Sequence, residues 1–286
     1  MFVCCHNCGR FYHLSEFIEI YTPDLLEEYK FWGFSVKQQS LANETLQALE
    51  SVEAIPEVKE SPSFVWTERL HELTVDFNLL ADEHPARLYV ENRHIPFNKV
   101  RYCKNFHKLC EELALDNTHE QYSIPCMLIP FYLIDRKIEV FQGRFFDNKV
   151  KPKYMTVKLN PDALKIYNKD FVDQSKTIYI MEGPVDSLHA ENAIALGGSD
   201  GSVDYPNQVW CFDNEADNEQ INKKLSNKIE RKEKVIIWKK SDLYKDLNEG
   251  IVRGMIRESD VGRILKERTF SGIKAKLEFV KWKKNH

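Results

Sequence analysis

No run in the sequence approaches the roughly eighteen consecutive apolar residues that a membrane-spanning helix needs. The start, MFVCCHNCGRF, lacks both the apolar stretch and the small-residue cleavage site of a secretory signal. Internal repeats and low-complexity tracts are missing as well. The seven cysteines are odd in number and uneven in spacing, which excludes a disulfide framework and fits a reducing cytoplasm. A large excess of positive charge is also lacking: the net charge of −4 excludes a protein coated throughout for nucleic acid. That charge is uneven, however. Residues 44–60 are acid-rich, whereas 223–240 and 263–284 are rich in lysine and arginine, so composition neither supports nor excludes a nucleic-acid partner. What remains, 286 residues at 43% hydrophobic and 29% charged, describes a soluble globular protein of two or three units.

Residues 1–13 are rich in cysteine and histidine, 14–34 read as an amphipathic helix interrupted at Pro23, and 37–63 turn polar like a linker. A compact unit begins near Trp66. TERLHELTVD reads as a short strand or turn, and HPARLYVENRHIP as a helix opened by Pro85 and closed before Pro96. CMLIPFYLID and IEVFQGRFF, joined through Asp135–Arg136–Lys137, read as a hairpin. After Thr177 strands and helices alternate. Strand TIYIM precedes helix VDSLHAENA, strand AIAL and a glycine-rich turn. Strand QVWCFD, helix NEQINKKLSNKIERK, strand KVIIW and helix DLNEGIVRGMIRE complete the series. That order predicts a parallel sheet flanked by helices, preceded by a mixed α+β subdomain.

In such a sheet the working site lies beyond the carboxyl ends of the strands. Strand TIYIM ends at Glu182, QVWCFD ends at Asp213 with Glu215 close behind, and the segment after KVIIW delivers Asp246. Carboxylates at the same end of neighbouring strands repel and raise one another's pKa. A hard divalent cation such as Mg²⁺ (or Mn²⁺) resolves the conflict, and it keeps coordination positions for substrate phosphates. A single strand-terminal acid is as well explained as a helix N-cap, as Asp186 could be; three together are not.

EGPVDSL, FDNEAD and KDLNE resemble, in order and spacing, the three motifs of the Toprim fold. LIPFYLIDRKIEVFQGRFFD followed by KPKYMTV is similar to the polymerase core of Toprim-containing, bacterial-type DNA primases, and ADEHPARLYVENRHIP and LKIYN to primases of the T-even bacteriophage type. The resemblance runs from about residue 64 to 260 and weakly into the head. One departure stands out. Cellular primases carry Asp-x-Asp in the second motif, where this chain has Asp213-Asn214-Glu215, and Glu215 can serve as the second oxygen ligand.

The resemblance implies an enzyme that builds short RNA primers from ribonucleoside triphosphates on single-stranded DNA for lagging-strand replication. It also implies a hexameric replicative helicase as partner and the infected host's cytoplasm as location. It divides the chain into a ribbon remnant with its helix (1–36), a linker (37–63), a primase core subdomain (64–172), a Toprim catalytic domain (173–258) and a helical tail (259–286). Asp213, Glu215 and Asp246 would hold Mg²⁺, and Glu182 would be a further ligand or the base for the attacking 3′-hydroxyl. Gly183 and Asp186 would shape the turn, and Lys245 and Asn248 would position the metal ligands and a phosphate. Arg144, Lys153 and Gln142, with Lys151 and Arg136, would guide template phosphates and the incoming nucleotide if the hairpin packs beside the acids. Two rivals are a Toprim nuclease using the same acids and a non-catalytic module that binds template or helicase.

Cys5-x-x-Cys8 has the spacing of half a zinc ribbon, and a tetrahedral site needs two such pairs. By the resemblance the chain begins between the two pairs, so zinc is expected only if the missing half is supplied. Cys103 and Cys110 read as core or surface thiols, KKLSNKIERKEK as a solvated helix face, and AKLEFVKWKKNH as a terminal helix.

Overall fold

The computed structural model describes residues 2–4, 11–14, 62–115, 119–197 and 203–284. The chain divides into two compact units, residues 1–59 and 60–286. In the first, strand β1 (Phe2–Cys4) pairs antiparallel with β2 (Phe11–His13). Cys5, Cys8, nearly all of the helix expected over 14–34 and most of the linker expected over 37–63 lie outside the described residues.

The second unit opens with helix α1 (Pro62–Leu73), where a strand or turn is expected from TERLHELTVD. Tertiary contacts override the weak local signal. Leu70 is fully buried, the Thr67 hydroxyl accepts the Ile138 amide at 2.8 Å, and Arg69 reaches Glu112 at 2.6 Å. Strand β3 (Val75–Asp76), helix α2 (Pro85–Asn92), strand β4 (Arg101–Cys103) and helix α3 (Phe106–Glu112) follow. Strands β5 (Cys126–Tyr132) and β6 (Ile138–Phe145) form the expected hairpin, and β7 (Tyr154–Lys158) completes a five-stranded antiparallel sheet in the order β3-β4-β5-β6-β7. Cys103 therefore sits on a strand opposite Cys126, and both thiols are buried, as is that of Cys110.

Strand alternation in β6 sorts its side chains. Phe141 and Phe145 pack with Phe106 into one core, while Gln142 and Arg144 point the other way. Gly143 lies on the phenylalanine face, and a Cβ there would stand 2.5 Å from the Phe106 ring. Glycine at this point lets β6 lie flat on α3.

The rest of the unit is the alternating region: β8 (Ile166–Tyr167), β9 (Ile178–Met181), α4 (Pro184–Ser187), β10 (Ala193–Leu196), β11 (Gln208–Cys211), α5 (Glu219–Glu230), β12 (Lys234–Ile236), α6 (Leu247–Val252), α7 (Val261–Glu267), β13 (Thr269–Phe270) and α8 (Gly272–Lys284). The strands form a six-stranded sheet in the order β13-β12-β11-β9-β10-β8. Its four central strands are parallel, as expected, and both edge strands run antiparallel. The helix expected over VDSLHAENA is only the single turn α4. Asn192 ends that excursion with φ at 55°, and its amide donates to the Asp173 and Thr177 carbonyls, turning the chain early into β10. The terminal segment is built into this sheet: β13 pairs with β12, and Ala275 and Trp282 of α8 are buried.

One continuous core joins the two sheets, with Ile129 and Phe131 of β5 packed among Ile166, Tyr167, Ile180 and Ile194. The Thr156 hydroxyl donates to the Gly197 carbonyl at 2.6 Å across the junction. Among the described residues no helix is long and apolar enough to cross a membrane.

Candidate active site

Three strand-to-helix turns deliver acids to the same end of the six-stranded sheet. β9 and β11 are adjacent and parallel, in register from Ile178 against Gln208 to Met181 against Cys211, so the residues that follow them emerge side by side. The Asp213 amide donates to Glu182 Oε2 at 3.3 Å. Glu182 Oε1 pairs with Lys224 at 2.6 Å, and Lys245 stands 3.4 Å from Asp213 and 3.0 Å from Glu215. Asp246 caps α6, its carboxylate accepting the Glu249 amide at 2.7 Å. Asp186 accepts the Asn248 amide at 3.0 Å.

These acids oppose one another's ionisation. Burial, then Glu182, pushes Asp213 up to about 7 despite Lys245. Burial, then Asp246, pushes Asp186 up to about 8. Glu215 behaves differently: burial raises it, but the Lys245 ammonium and the Asn218 amide outweigh that and bring it below the usual range. Burial lowers the Lys245 ammonium, yet Glu215 and Asp213 raise it overall.

A cleft of ≈ 1150 Å³ is lined by Glu182, Asp186, Asp213 and Asp246 together with a basic wall of Arg93, Arg144 and Lys153. Arg144 is only 2% exposed, so it is a buried wall residue and no part of a solvated surface. Its guanidinium lies 5.2 Å from the Tyr89 ring centroid and 5.1 Å from that of Tyr154, fixed like a card between two plates. Gln142 donates to Thr156 at 2.8 Å, while its buried Oε1 and the Arg144 Nε have no hydrogen-bond partner. Lys153 is held below its usual range by burial and then by Arg144, Arg93, Lys151 and Lys245. The cleft is thus lined by acids whose ionisation is opposed by burial and neighbouring carboxylates, and by a lysine whose charge is opposed by burial and neighbouring cations.

Most of the expected site residues come together here: Glu182, Gly183, Asp186, Asp213, Lys245, Asp246, Gln142, Arg144 and Lys153 all line the cleft. Glu215 reaches it through Lys245. Asn248 stands behind the lining, 2% exposed, and exchanges hydrogen bonds with Arg93: the Arg93 guanidinium donates to Oδ1 at 2.6 Å and Nδ2 donates to the Arg93 carbonyl at 2.7 Å. It therefore ties the two halves of the unit together, and its amide orients Asp186. Gly183 is extended, with φ at −122°, and an added Cβ would make only an ordinary 3.7 Å contact with Asp186; neither space nor backbone demands glycine there. Arg136 lies in the β5–β6 turn over Phe171, and neither Arg136 nor Lys151 lines the cleft.

Two groups of site residues escape the sequence reading. Arg93 is one. The other lies in and just after α5, where Lys224, Lys228 and the C-capping Arg231 line the cleft although a solvated face is expected. The buried positions Ile221, Leu225 and Ile229 carry the signal, because they fix which side of the helix faces the sheet.

Glu182, Asp186, Asp213, Glu215 and Asp246 offer only carboxylate oxygens, the donor chemistry of a hard divalent cation. Among the described residues no three acid, histidine or cysteine side chains are drawn together into a ready ligand cluster, and lysines provide the counter-charge at Glu182, Asp213 and Glu215.

The architecture is that of bacterial DnaG-type primase cores. The Aquifex aeolicus primase (zinc-binding and RNA polymerase domains) matches with a TM-score of 0.54 at 14% identity, over 99% of this chain and 78% of that one. A DnaG catalytic domain bound to single-stranded DNA matches at 0.52 and 13%, over 73% and 79%. No family model matches the sequence. In sequence the chain is a homologue of the DNA primase of Enterobacteria phage T4, 29% identical over 293 aligned residues that span 98% of this chain and 81% of the phage protein.

Proposed function

We propose that the protein is a DNA primase of the T-even phage type. It joins ribonucleoside triphosphates into short RNA primers on single-stranded DNA, using the Toprim acids at the end of the six-stranded sheet. The observation that carries this reading is a single cleft lined by both a set of carboxylates and a set of cations. Glu182, Asp213 and Asp246 line it together with Arg93, Arg144 and Lys153. A nucleoside triphosphate with its divalent cation suits both sets: carboxylate oxygens for the cation, and guanidinium and ammonium groups for the phosphates.

In the reaction the primer 3′-oxygen bonds to the α-phosphorus, the bond from that phosphorus to the bridging oxygen breaks, and pyrophosphate leaves. Glu182, Asp213, Glu215 and Asp246 would hold Mg²⁺, or Mn²⁺ in its place, which when bound neutralises charge on the triphosphate and the departing pyrophosphate. Glu182, next to Asp213 at the strand ends, would be either a further ligand or the base that takes the hydroxyl proton. Arg144, already oriented by two tyrosines, meets a phosphate with little loss of side-chain freedom. Lys153 and Arg93 extend that anion-binding wall along template or nucleotide. A non-catalytic module has no use for mutually repelling carboxylates at the bottom of a cleft.

A primer-synthesis assay with labelled ribonucleotides, Mg²⁺ and single-stranded DNA tests the proposal. Template-dependent RNA oligomers are expected. Cleavage of the DNA without synthesis would replace the reading by the nuclease, and binding alone would replace it by the module. A hexameric replicative helicase in the host cytoplasm is proposed as partner, detectable by co-sedimentation with the purified protein.

A further inference from the structure

Asn214 stands between the two acids of the second motif, yet it faces away from the cleft and is 9% exposed. Its backbone N–H and both ends of its side-chain amide are engaged. Its backbone amide donates to the Lys245 carbonyl at 2.6 Å, and its side-chain amide donates to the carbonyls of Asp242 at 2.7 Å and Tyr244 at 3.0 Å. Its Oδ1 accepts the indole N–H of Trp282, in the terminal helix α8, at 2.7 Å. Trp282 is 2% exposed. The same loop is held a second time from the terminal segment. Arg268, just past α7, makes two hydrogen bonds to Asp242, at 2.8 and 2.9 Å, and both side chains are buried.

The geometry points to a clamp: we propose that Trp282, acting through Asn214, is a positioning residue of the active site. The clamp sets the separation between the loop that carries Asp213 and Glu215 and the loop that carries Lys245 and Asp246. Asn214 is suited to this because an amide both accepts from the indole and donates twice to the opposite loop. An aspartate could accept but not donate, and an aliphatic residue could do neither. The terminal helix, outside the alternating strand–helix series, thereby becomes part of the catalytic scaffold. Trp282 touches no reacting group, so its effect is on geometry alone.

The inference rests on the primer-synthesis reading for its kinetic test and stands apart from it in its exchange test. Trp282→Phe keeps a buried ring and removes the N–H; Asn214→Ala removes the same bond from the other end together with the two that Asn214 donates to the Asp242 and Tyr244 carbonyls. Since small misplacements of reacting groups cost up to ~100-fold in rate, each variant is expected to lower kcat about tenfold with KM for nucleotide changed less than about twofold. The double variant is expected to be no slower than Asn214→Ala alone, because the two residues act through one bond. Hydrogen exchange by mass spectrometry should rise in segments 212–215 and 242–246 and stay unchanged in β5 and β6. Val261→Ala, a loss of packing in α7 that removes no hydrogen bond of the clamp, should leave both readouts at parental values. Parental kcat and exchange in Trp282→Phe, or losses that multiply in the double variant, would overturn the clamp. If the parental chain makes no primers, the catalytic reading fails while the exchange comparison still decides the clamp.

Discussion

The Asp213 backbone amide donates to the Glu182 carboxylate at 3.3 Å, so the acids that end two adjacent parallel strands are locked side by side. The register of β9 and β11 holds the backbone positions of the two side by side. Asp213→Asn removes one charge at nearly constant volume. Primer synthesis is expected to fall by at least ~100-fold, the usual scale for losing one preorganised electrostatic group. Circular dichroism should show the fold intact.

The same substitution has a pH signature. Asp213 is raised from 3.8 to about 7 by burial and Glu182. Between those values the folded protein binds a proton that the unfolded chain has released, so stability decreases as pH rises through this window. Asp186, raised to about 8, extends the trend slightly further. Asp213→Asn should flatten the decline, and at pH 7.5 the variant should be more stable than the parent by about 1–3 kcal/mol. Urea midpoints at pH 5 and 7.5 check the sign. A parent that gains stability relative to the variant on going to pH 7.5 contradicts it.

Asp246 has two roles that substitutions can separate. As the N-cap of α6 it accepts the Glu249 amide, a task asparagine also performs. Asp246→Asn should keep stability and lose primer synthesis; Asp246→Ala should lose both, the stability loss being about 1 kcal/mol. Equal activity in the asparagine variant and the parent would leave Asp246 only the capping role.

Lys153→Ala should weaken binding of single-stranded DNA or nucleotide and reduce the slope of log affinity against log salt by roughly one phosphate contact. Arg144→Lys keeps the charge but loses the flat guanidinium between Tyr89 and Tyr154, so it should behave like a loss rather than a conservative change. Fluorescence anisotropy across a salt series measures both.

Gly143→Ala should destabilise the unit by about 1–3 kcal/mol through overpacking against Phe106. Because Gln142 and Arg144 flank this glycine, nucleotide affinity should fall together with the urea midpoint.

Much of the site was legible because its signals are local. An apolar run that stops at an acid marks a strand end, and Glu182 and Asp213 carry that mark. The hairpin of β5 and β6 was legible for the same reason. Asn248 with Arg93 and Asn214 with Trp282 were not, since each pair is far apart in sequence and each partner looks ordinary in its own neighbourhood. Lys224 was hidden within a helix whose charges cover several faces, until Ile221, Leu225 and Ile229 showed which side turns inward. α1 was misread because its helix depends on burying Leu70 and on partners from elsewhere in the chain.

The core shared by the two sheets has a consequence for how the charged groups of the cleft are held. Arg144 and Glu182 stand on different sheets, but those sheets are packed into one body and fastened by Thr156 and Gly197. Gly197 leaves no room for more: a Cβ there would press on the Phe131 ring at 2.9 Å. The walls therefore work as a fixed calliper and not as a jaw. A ligand that touches both the carboxylates and the guanidinium meets them in a relationship set by that packed core.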